Sequence, residues 1–260
     1  MDLGLDGRTA FVSGAYRGTG AGIAQALADE GAHVIVHGFE EGQPDDTVAA
    51  VRASGGSAEA LVADLGSDAA VDAIAGVLTD VDVLVNNYGT PSRSSWSSTE
   101  HWHAEWDRNV LTGVRCTQPA IAGMRARGWG RVIFVGTVGN RMPGSRNVGY
   151  YAAKAGMPAL VRTLAQELRG TGVTANLVSP GMIATAEVKE MVQRGAARDG
   201  VDGDWAEAEA WALANTMPNL TERIPDPVDI GRTIAFVASE AAWHITGSEI
   251  AIDGGAVDAR

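Results

Sequence analysis

Thr9-Ala10-Phe11-Val12-Ser13-Gly14-Ala15-Tyr16-Arg17-Gly18-Thr19-Gly20 is the stretch on which the reading of this chain turns. Four residues form a short apolar run that stops at Ser13-Gly14, and helical spacing sets in from Ala21 to Glu30. That order reads as a strand, a tight turn and a helix start. Glycine suits such a turn for three reasons: it accepts positive φ, it lets a pyrophosphate approach the backbone, and it leaves helix N-terminal N–H groups open to an anion. The spacing is G-x-x-x-G-x-G rather than G-x-G-x-x-G, and alone it would mark only a tight turn. Its place directly after the first strand makes Gly14, Tyr16, Arg17, Gly18, Thr19 and Gly20 candidate contacts for a dinucleotide.

Working outward, the same alternation repeats. Ala32–Val36, Ala60–Ala63, Val81–Val85, Arg131–Val135, Thr174–Val178 and Glu249–Ile252 are brief apolar or β-branched runs. Between them, Asp45–Ala53, Asp68–Leu78, Glu100–Arg127, Tyr151–Arg169 and Asp229–Ala238 have helical spacing, several stopped by glycine. Fully apolar strands alternating with amphipathic helices mark a parallel sheet covered on both faces. The expected fold is α/β: one Rossmann-like, doubly wound domain over residues 1–260, with seven parallel strands and helices on both faces. Residues 182–226 break the rhythm with helical stretches and no strand. A long insertion after a strand's C-terminal end reads as a substrate lid, with Met182, Trp205 and Trp211 as an apolar pocket wall. The alternative is a surface subdomain that packs its own tryptophans.

Composition narrows the function. The formal charge is −12, from 20 Lys and Arg against 32 Asp and Glu, which argues against nucleic acid as a partner. An apolar fraction of 45% supports a buried core. The 33 glycines show no collagen-like period and go to turns and close contacts. Cys116 is the lone cysteine and reads as a small buried hydrophobe. No basic leader and no long apolar run appear, so a cytoplasmic protein with no membrane partner is expected. His101-Trp102-His103 places its histidines at i and i+2, which point apart on a helix, and no metal site is expected.

The second strand's tip bears on the adenosine ribose. An NAD enzyme places Asp or Glu there, but this chain has Val36-His37-Gly38-Phe39 with Glu40 only further along. A guanidinium from Arg17 would welcome a 2′-phosphate, with His37 and Gly38 beside it and Phe39 able to stack on adenine. NADP(H) is therefore favoured over NAD(H).

With these features in place, the remaining motifs together resemble those of the short-chain dehydrogenase/reductase family, over about Gly7 to Gly255. Asp64-Leu65 follows the third strand, where the family binds adenine. Asn86-Asn87-Tyr88-Gly89 corresponds to N-N-A-G, and Asn109 to the family's helical Asn. Tyr150 and Lys154 carry Y-x-x-x-K, and Pro180, Gly181, Ile183 and Thr185 fall in the nicotinamide clamp. Ile245-Thr246-Gly247 and Asp253-Gly254-Gly255 close the pattern. The resemblance implies hydride transfer between a nicotinamide cofactor and a ketone or secondary alcohol. It implies Tyr150 as acid/base, Lys154 lowering its pKa, Thr137 polarising the carbonyl, and Asn109 holding a water. Tyr150 and Lys154 at i, i+4 share a helix face, whereas Tyr151 reads as packing.

Two positions depart from the family. Thr137 stands where it has Ser, keeping the hydroxyl while adding a methyl group. Tyr88 stands where it has Ala. They prompt a rival reading, a nucleotide-binding regulator that has lost catalysis. A further alternative is a 3-oxoacyl-thioester reductase, because Arg125, Arg127 and Arg131 resemble a patch that docks acyl carrier protein. A helix C-terminus favoured by its dipole explains the same cluster. By resemblance, the Glu100–Arg127 helix and the helix bearing Tyr150 form a subunit interface, and a homotetramer is expected, with a dimer as runner-up.

Overall fold

Central strands covered on both faces have no solvent side, and here they are apolar nearly throughout. The computed structural model describes residues 2–92 and 96–257. β1 (Thr9–Val12), β4 (Val83–Asn86), β5 (Gly130–Val135) and β6 (Val173–Pro180) are buried along almost their whole lengths. They lie between β2 (His33–Gly38) and β3 (Ser57–Val62) on one side and β7 (Glu249–Ile252) on the other. All neighbours pair in parallel, in the order β3-β2-β1-β4-β5-β6-β7. The order reverses between β1 and β4, and the crevice beyond their C-terminal ends is where such sheets bind ligands.

Alternate residues feed two cores. Val12, Val34, Val36 and Val85 face Ile23 and Leu27 of α1 (Gly18–Asp29) and Ile230 and Ile234 of α11 (Pro227–Ala238). Phe11, Ile35, Leu84 and Phe134 face the other way, toward Cys116 and Met124 of α6 (Thr112–Arg127) and Val161 of α8 (Met157–Glu167). Cys116 is buried, and burial pushes its thiol up to about 12, so it stays neutral and packs as a hydrophobe.

The helices differ from the sequence reading in three places. Asp68–Leu78, expected as one helix, is two: α3 (Asp68–Asp72) and α4 (Ala75–Asp80), with the Ile74 N–H turned onto the Val71 carbonyl between them. Glu100–Arg127 is α5 (Thr99–Trp106) joined to α6 through a π turn at Asp107–Leu111, which carries Asn109. Such widened turns cluster at functional sites. Tyr151–Arg169 divides at Gly156 into α7 (Val148–Ala155) and α8, because Pro158 has no N–H to continue the ladder. Residues 182–226 hold α9 (Ala186–Arg198) and α10 (Trp205–Asn215), which share a small core of Ala184, Val192, Ala196, Ala208, Ala212 and Ile224. The remaining early helix, α2 (Asp45–Ala53), matches its expected span.

Candidate active site

The glycine turn is held by its neighbours' polar atoms. Asn87, just past β4, donates from Nδ2 to the carbonyls of Ser13 (2.9 Å) and Gly14 (3.3 Å). The Ser13 hydroxyl oxygen accepts from the Tyr88 N–H at 3.0 Å. Gly14 has φ +62°, which a side chain rarely adopts, and a Cβ there would meet Tyr88 at 3.3 Å. A Cβ on Gly20 would lie 2.4 Å from the Gly14 carbonyl oxygen, so the helix start can seat against the turn only as glycine. α1 has no side-chain cap, and the first N–H groups of any helix lack intrahelical partners. This bare, closely approachable cradle fits an anionic pyrophosphate.

His37 is corrected by the structure. Its ring is buried, its Nδ1 accepts the Gly14 N–H at 3.0 Å, and its Nε2 lies 3.0 Å from the Ala63 carbonyl. Those partners fix one neutral tautomer, with the proton on Nε2, and burial lowers the pKa to about 4. Both nitrogens are spent inside the chain, so His37 supports the glycine turn and does not reach a 2′-phosphate. The rim above it is aromatic. Phe39 lies 4.5 Å from Tyr88 and 6.4 Å from Tyr16 between ring centroids, and burial raises the Tyr88 pKa. Arg17 sits on the exposed side, 3.0 Å from Glu187 in the first turn of α9. Asp64 is exposed, and its Oδ1 accepts the Gly66 N–H at 2.8 Å. The Leu65 side chain is in the core, so a contact from that residue falls to its backbone. A Cβ on Gly38 would meet the side chains of Gln43 and Pro44 at 3.0 Å, a tight fit that they would have to ease by a few tenths of an ångström.

The other end of the cleft is a cavity of about 150 Å³. It is lined by Thr19, Asn87, Gly89, Thr137, Tyr150 and Lys154, and is closed by Pro180, Gly181 and Ile183. Four stretches far apart in sequence thus meet beyond the strand ends. Lys154 is buried and donates from Nζ to the Val135 carbonyl at 2.8 Å; burial lowers its pKa to about 8. Tyr150 moves oppositely to the sequence expectation. Burial raises its pKa, and Tyr151 and Glu105 add to the rise. The phenol therefore holds its proton, the form that can donate it. Thr137 accepts the Gly139 N–H on Oγ1 at 3.1 Å, leaving its O–H to donate into the cavity. Ser145, a hydroxyl residue between Thr137 and Tyr150 in the sequence, is exposed.

Asn109 is buried on the π turn. Its Nδ2 donates to the Glu105 carbonyl (3.0 Å) and to Glu105 Oε2 (3.1 Å), while its Oδ1 has no hydrogen-bond partner. A Cβ on Gly89 would stand 2.7 Å from that Oδ1 and 3.0 Å from Lys154 Nζ. Glycine is needed there because asparagine and lysine converge on the same space. Toward the lid, a second cavity of about 220 Å³ is lined by Thr137, Met142, Tyr151, Met182 and Met217, among others. Tyr151 therefore lines this cavity, contrary to its reading as packing alone. Met142 was also missed, since nothing in its local sequence marks it. Trp205 and Trp211 are corrected: both pack on the α9–α10 core, and neither lines a cavity at Thr137. Thr185 caps α9, its Oγ1 accepting the Val188 N–H at 3.4 Å, and its methyl would sit 3.6 Å from a Cβ on Gly18.

The basic cluster is spent inside the chain. Arg131 is buried, stacks over Trp129 and pairs with Glu240; Arg127 donates to the carbonyls of Thr79 and Val81; Arg125 pairs with Glu167.

A seven-stranded parallel sheet, a bare glycine cradle and a Tyr-Lys pair, its lysine buried, beside a π-turn Asn define a nicotinamide-dependent oxidoreductase, and the chain belongs to the short-chain dehydrogenase/reductase family. A family model described as enoyl-(acyl carrier protein) reductase matches residues 14–257. D-beta-hydroxybutyrate dehydrogenase of Cupriavidus necator is 32% identical over 257 residues, covering 96% of this chain and 98% of that one. The L-sorbose reductase of Gluconobacter frateurii, solved with NADPH and L-sorbose, superposes with a TM-score of 0.88 at 26% identity, covering 99% of each chain. A 3-oxoacyl (acyl-carrier-protein) reductase of Agrobacterium tumefaciens with NADP bound gives 0.84 at 33% identity, over 98% of this chain and 96% of that one. The chain is accordingly an oxidoreductase of alcohol and carbonyl groups that uses NAD(P)(H).

Proposed function

We propose that this chain is an NADP(H)-preferring reductase of small ketones, with Tyr150 as general acid. The observation that carries the reading is the convergence of Thr137, Tyr150 and Lys154 on one cavity, with Asn109 behind Lys154. NADPH, when bound, supplies the hydride. The Thr137 hydroxyl donates to the carbonyl oxygen and polarises it. Tyr150 passes its proton to that oxygen as the alkoxide forms. Lys154, charged below about pH 8, stabilises the phenolate left behind and holds the nicotinamide ribose. Asn109 holds the water through which the lysine side is reprotonated.

NADP(H) is preferred because the β2 tip offers no carboxylate and Arg17 offers a guanidinium; NADPH and NADP in two relatives' structures support this. Gly14, Tyr16, Gly18, Thr19, Gly20, Asn87, Gly89, Pro180, Gly181, Ile183 and Thr185 complete the cofactor contacts. Residues 182–226 act as the substrate lid, contributing Met182 and Met217 rather than the tryptophans. We further propose a cytoplasmic homotetramer, with a dimer as the alternative, supported by the half-exposed Trp106 against α8's start at Gly156. A 3-oxoacyl-thioester substrate remains the second reading, carried by the NADP-bound relative of that name.

The test is NADPH oxidation with L-sorbose, acetoacetate, an acetoacetyl thioester and 2,3-butanedione. Wild type is expected to turn over at least one, and Tyr150→Phe to lose about 10³-fold in kcat while NADPH affinity holds. Equal inertness of both proteins, with NADPH still bound tightly, would sink the reading.

A further inference from the structure

Among the described residues Glu105 is the only buried carboxylate, and the mechanism above does not use it. It sits on α5, one turn before Asn109. Burying a carboxylate costs several kcal/mol unless its oxygens are satisfied, so an apolar side chain would be the cheaper filling at this place. Its oxygens are satisfied, and from three directions. Oε1 accepts from the Ser92 hydroxyl and lies 3.4 Å from an Arg108 guanidinium nitrogen. Oε2 accepts from Asn109 Nδ2 at 3.1 Å. The Arg108 charge also acts on the phenol of Tyr88, the residue that departs from the family at N-N-A-G, opposing the rise in its pKa that burial causes.

A carboxylate can only accept. An asparagine amide has two faces, an NH₂ that donates and an oxygen that accepts. The Glu105 carboxylate therefore reinforces, beside the carbonyls of Glu105 and Thr90, one of the two orientations of Asn109: Nδ2 toward Glu105, Oδ1 away from it. The Oδ1 so directed is the unpartnered buried oxygen near the Gly89 space where Lys154 Nζ also lies. With an apolar residue at 105 the NH₂ would keep only the backbone carbonyls of residue 105 (3.0 Å) and Thr90 (3.4 Å), and the amide would be held in this orientation more weakly.

We infer that Glu105 is a positioning residue for the oxidoreductase reaction: clamped by Ser92 and Arg108, it fixes the Asn109 amide with its oxygen toward Lys154. This rests on the acid/base reading of Tyr150 and Lys154.

The decisive experiment exchanges the two partners. Asn109→Asp sets two carboxylates against each other, and adding Glu105→Gln restores a donor opposite an acceptor. With 2,3-butanedione, or whichever carbonyl of the panel wild type reduces, Asn109→Asp is expected to lose at least 30-fold in kcat, on the order of a lost orienting partner. The double variant is expected to regain at least 10-fold of it, with KM and the NADPH dissociation constant within about twofold throughout. Melting of the nucleotide-free protein gives the second readout: Tm falls in Asn109→Asp and recovers in the double variant. Glu105→Leu should lower kcat similarly in wild type but add nothing in an Asn109→Ala background. A double variant no better than Asn109→Asp in kcat, or a Glu105→Leu loss undiminished in the Asn109→Ala background, overturns the inference. If Glu105→Leu does not fold, the exchange pair decides alone. Wild-type inertness across the panel is a different failure, that of the enzyme reading; recovery of Tm by the exchange would still report the contact.

Discussion

The two ends of the cleft are built on different principles. At the nicotinamide end, buried or half-buried polar groups are held in single orientations by partners within the chain: Lys154 by the Val135 carbonyl, Asn109 by Glu105, Thr137 by the Gly139 N–H. At the adenosine end the rim consists of rings and one exposed cation, with Phe39 against Tyr88 and Tyr16 and Arg17 reaching Glu187. The first arrangement suits chemistry, where a misaligned donor costs rate. The second suits selection among ligands that share a pyrophosphate. Below the rim His37 is as firmly fixed as the catalytic groups, and it acts on the loop.

The largest effect expected from breaking this contrast is at Lys154. Lys154→Met should lower kcat by about 10³-fold and yet not destabilise the protein at neutral pH. Burial holds the folded pKa at about 8 against 10.5 in the unfolded chain. Between those values the unfolded chain binds more protons, so folding gains stability as pH rises through the window and carries the full penalty below pH 8. Urea unfolding at pH 7 and pH 10 should show wild type gaining about 2 kcal/mol on Lys154→Met across that interval. A constant difference would mean that the ammonium is not buried at a cost.

Next in size is His37, the fixed residue at the adenosine end. Its folded pKa is about 4 against an ordinary 6.5, so its contribution is fully present above 6.5 and is lost as pH falls toward 4. Protonation would also put a donor on Nδ1, against the Gly14 N–H. NADP⁺ affinity of wild type should therefore change little down to pH 5 and fall about tenfold by pH 3, where a group with a pKa of about 4 is mostly protonated, measured by calorimetry. His37→Gln should bind more weakly at pH 7 and lose less on acidification. Equal pH dependence in the two proteins would show that the loop does not depend on the imidazole.

The contrast also separates what could be read from sequence. All seven strands were legible because short apolar runs between amphipathic helices have few other solutions, and Tyr150, Lys154, Thr137 and Gly89 do meet at one cavity. Three things were not legible. Whether His37 points at a ligand or under the loop depends on strand register with β3, which brings the Ala63 carbonyl beside it. Trp205 and Trp211 looked like a pocket wall because aromatic content says nothing about which helix face meets a partner helix. Glu105 sits in a polar-looking stretch, His103-Ala104-Glu105-Trp106-Asp107, and nothing local marks it as the buried residue of α5 that faces Asn109.

The smallest effect is expected at Arg17, and its size follows from exposure. Both Arg17 and Glu187 are more than half exposed, with side-chain exposures of 65% and 57%, so their pair contributes little in water and is easily exchanged. A 2′-phosphate carries more charge than the Glu187 carboxylate and accepts the same guanidinium fork, so it would displace that pairing when the nucleotide is phosphorylated. Arg17→Ala should raise the KM for NADPH about fivefold and leave NADH unchanged, whereas Glu187→Gln should improve NADPH use by no more than about twofold, within the range of an exposed pair. The ratio of kcat/KM for the two cofactors measures both. If Arg17→Ala leaves that ratio unchanged, the cation does not discriminate; the missing carboxylate at Gly38-Phe39 then carries the preference, and placing Asp at position 38 becomes the change that should invert it.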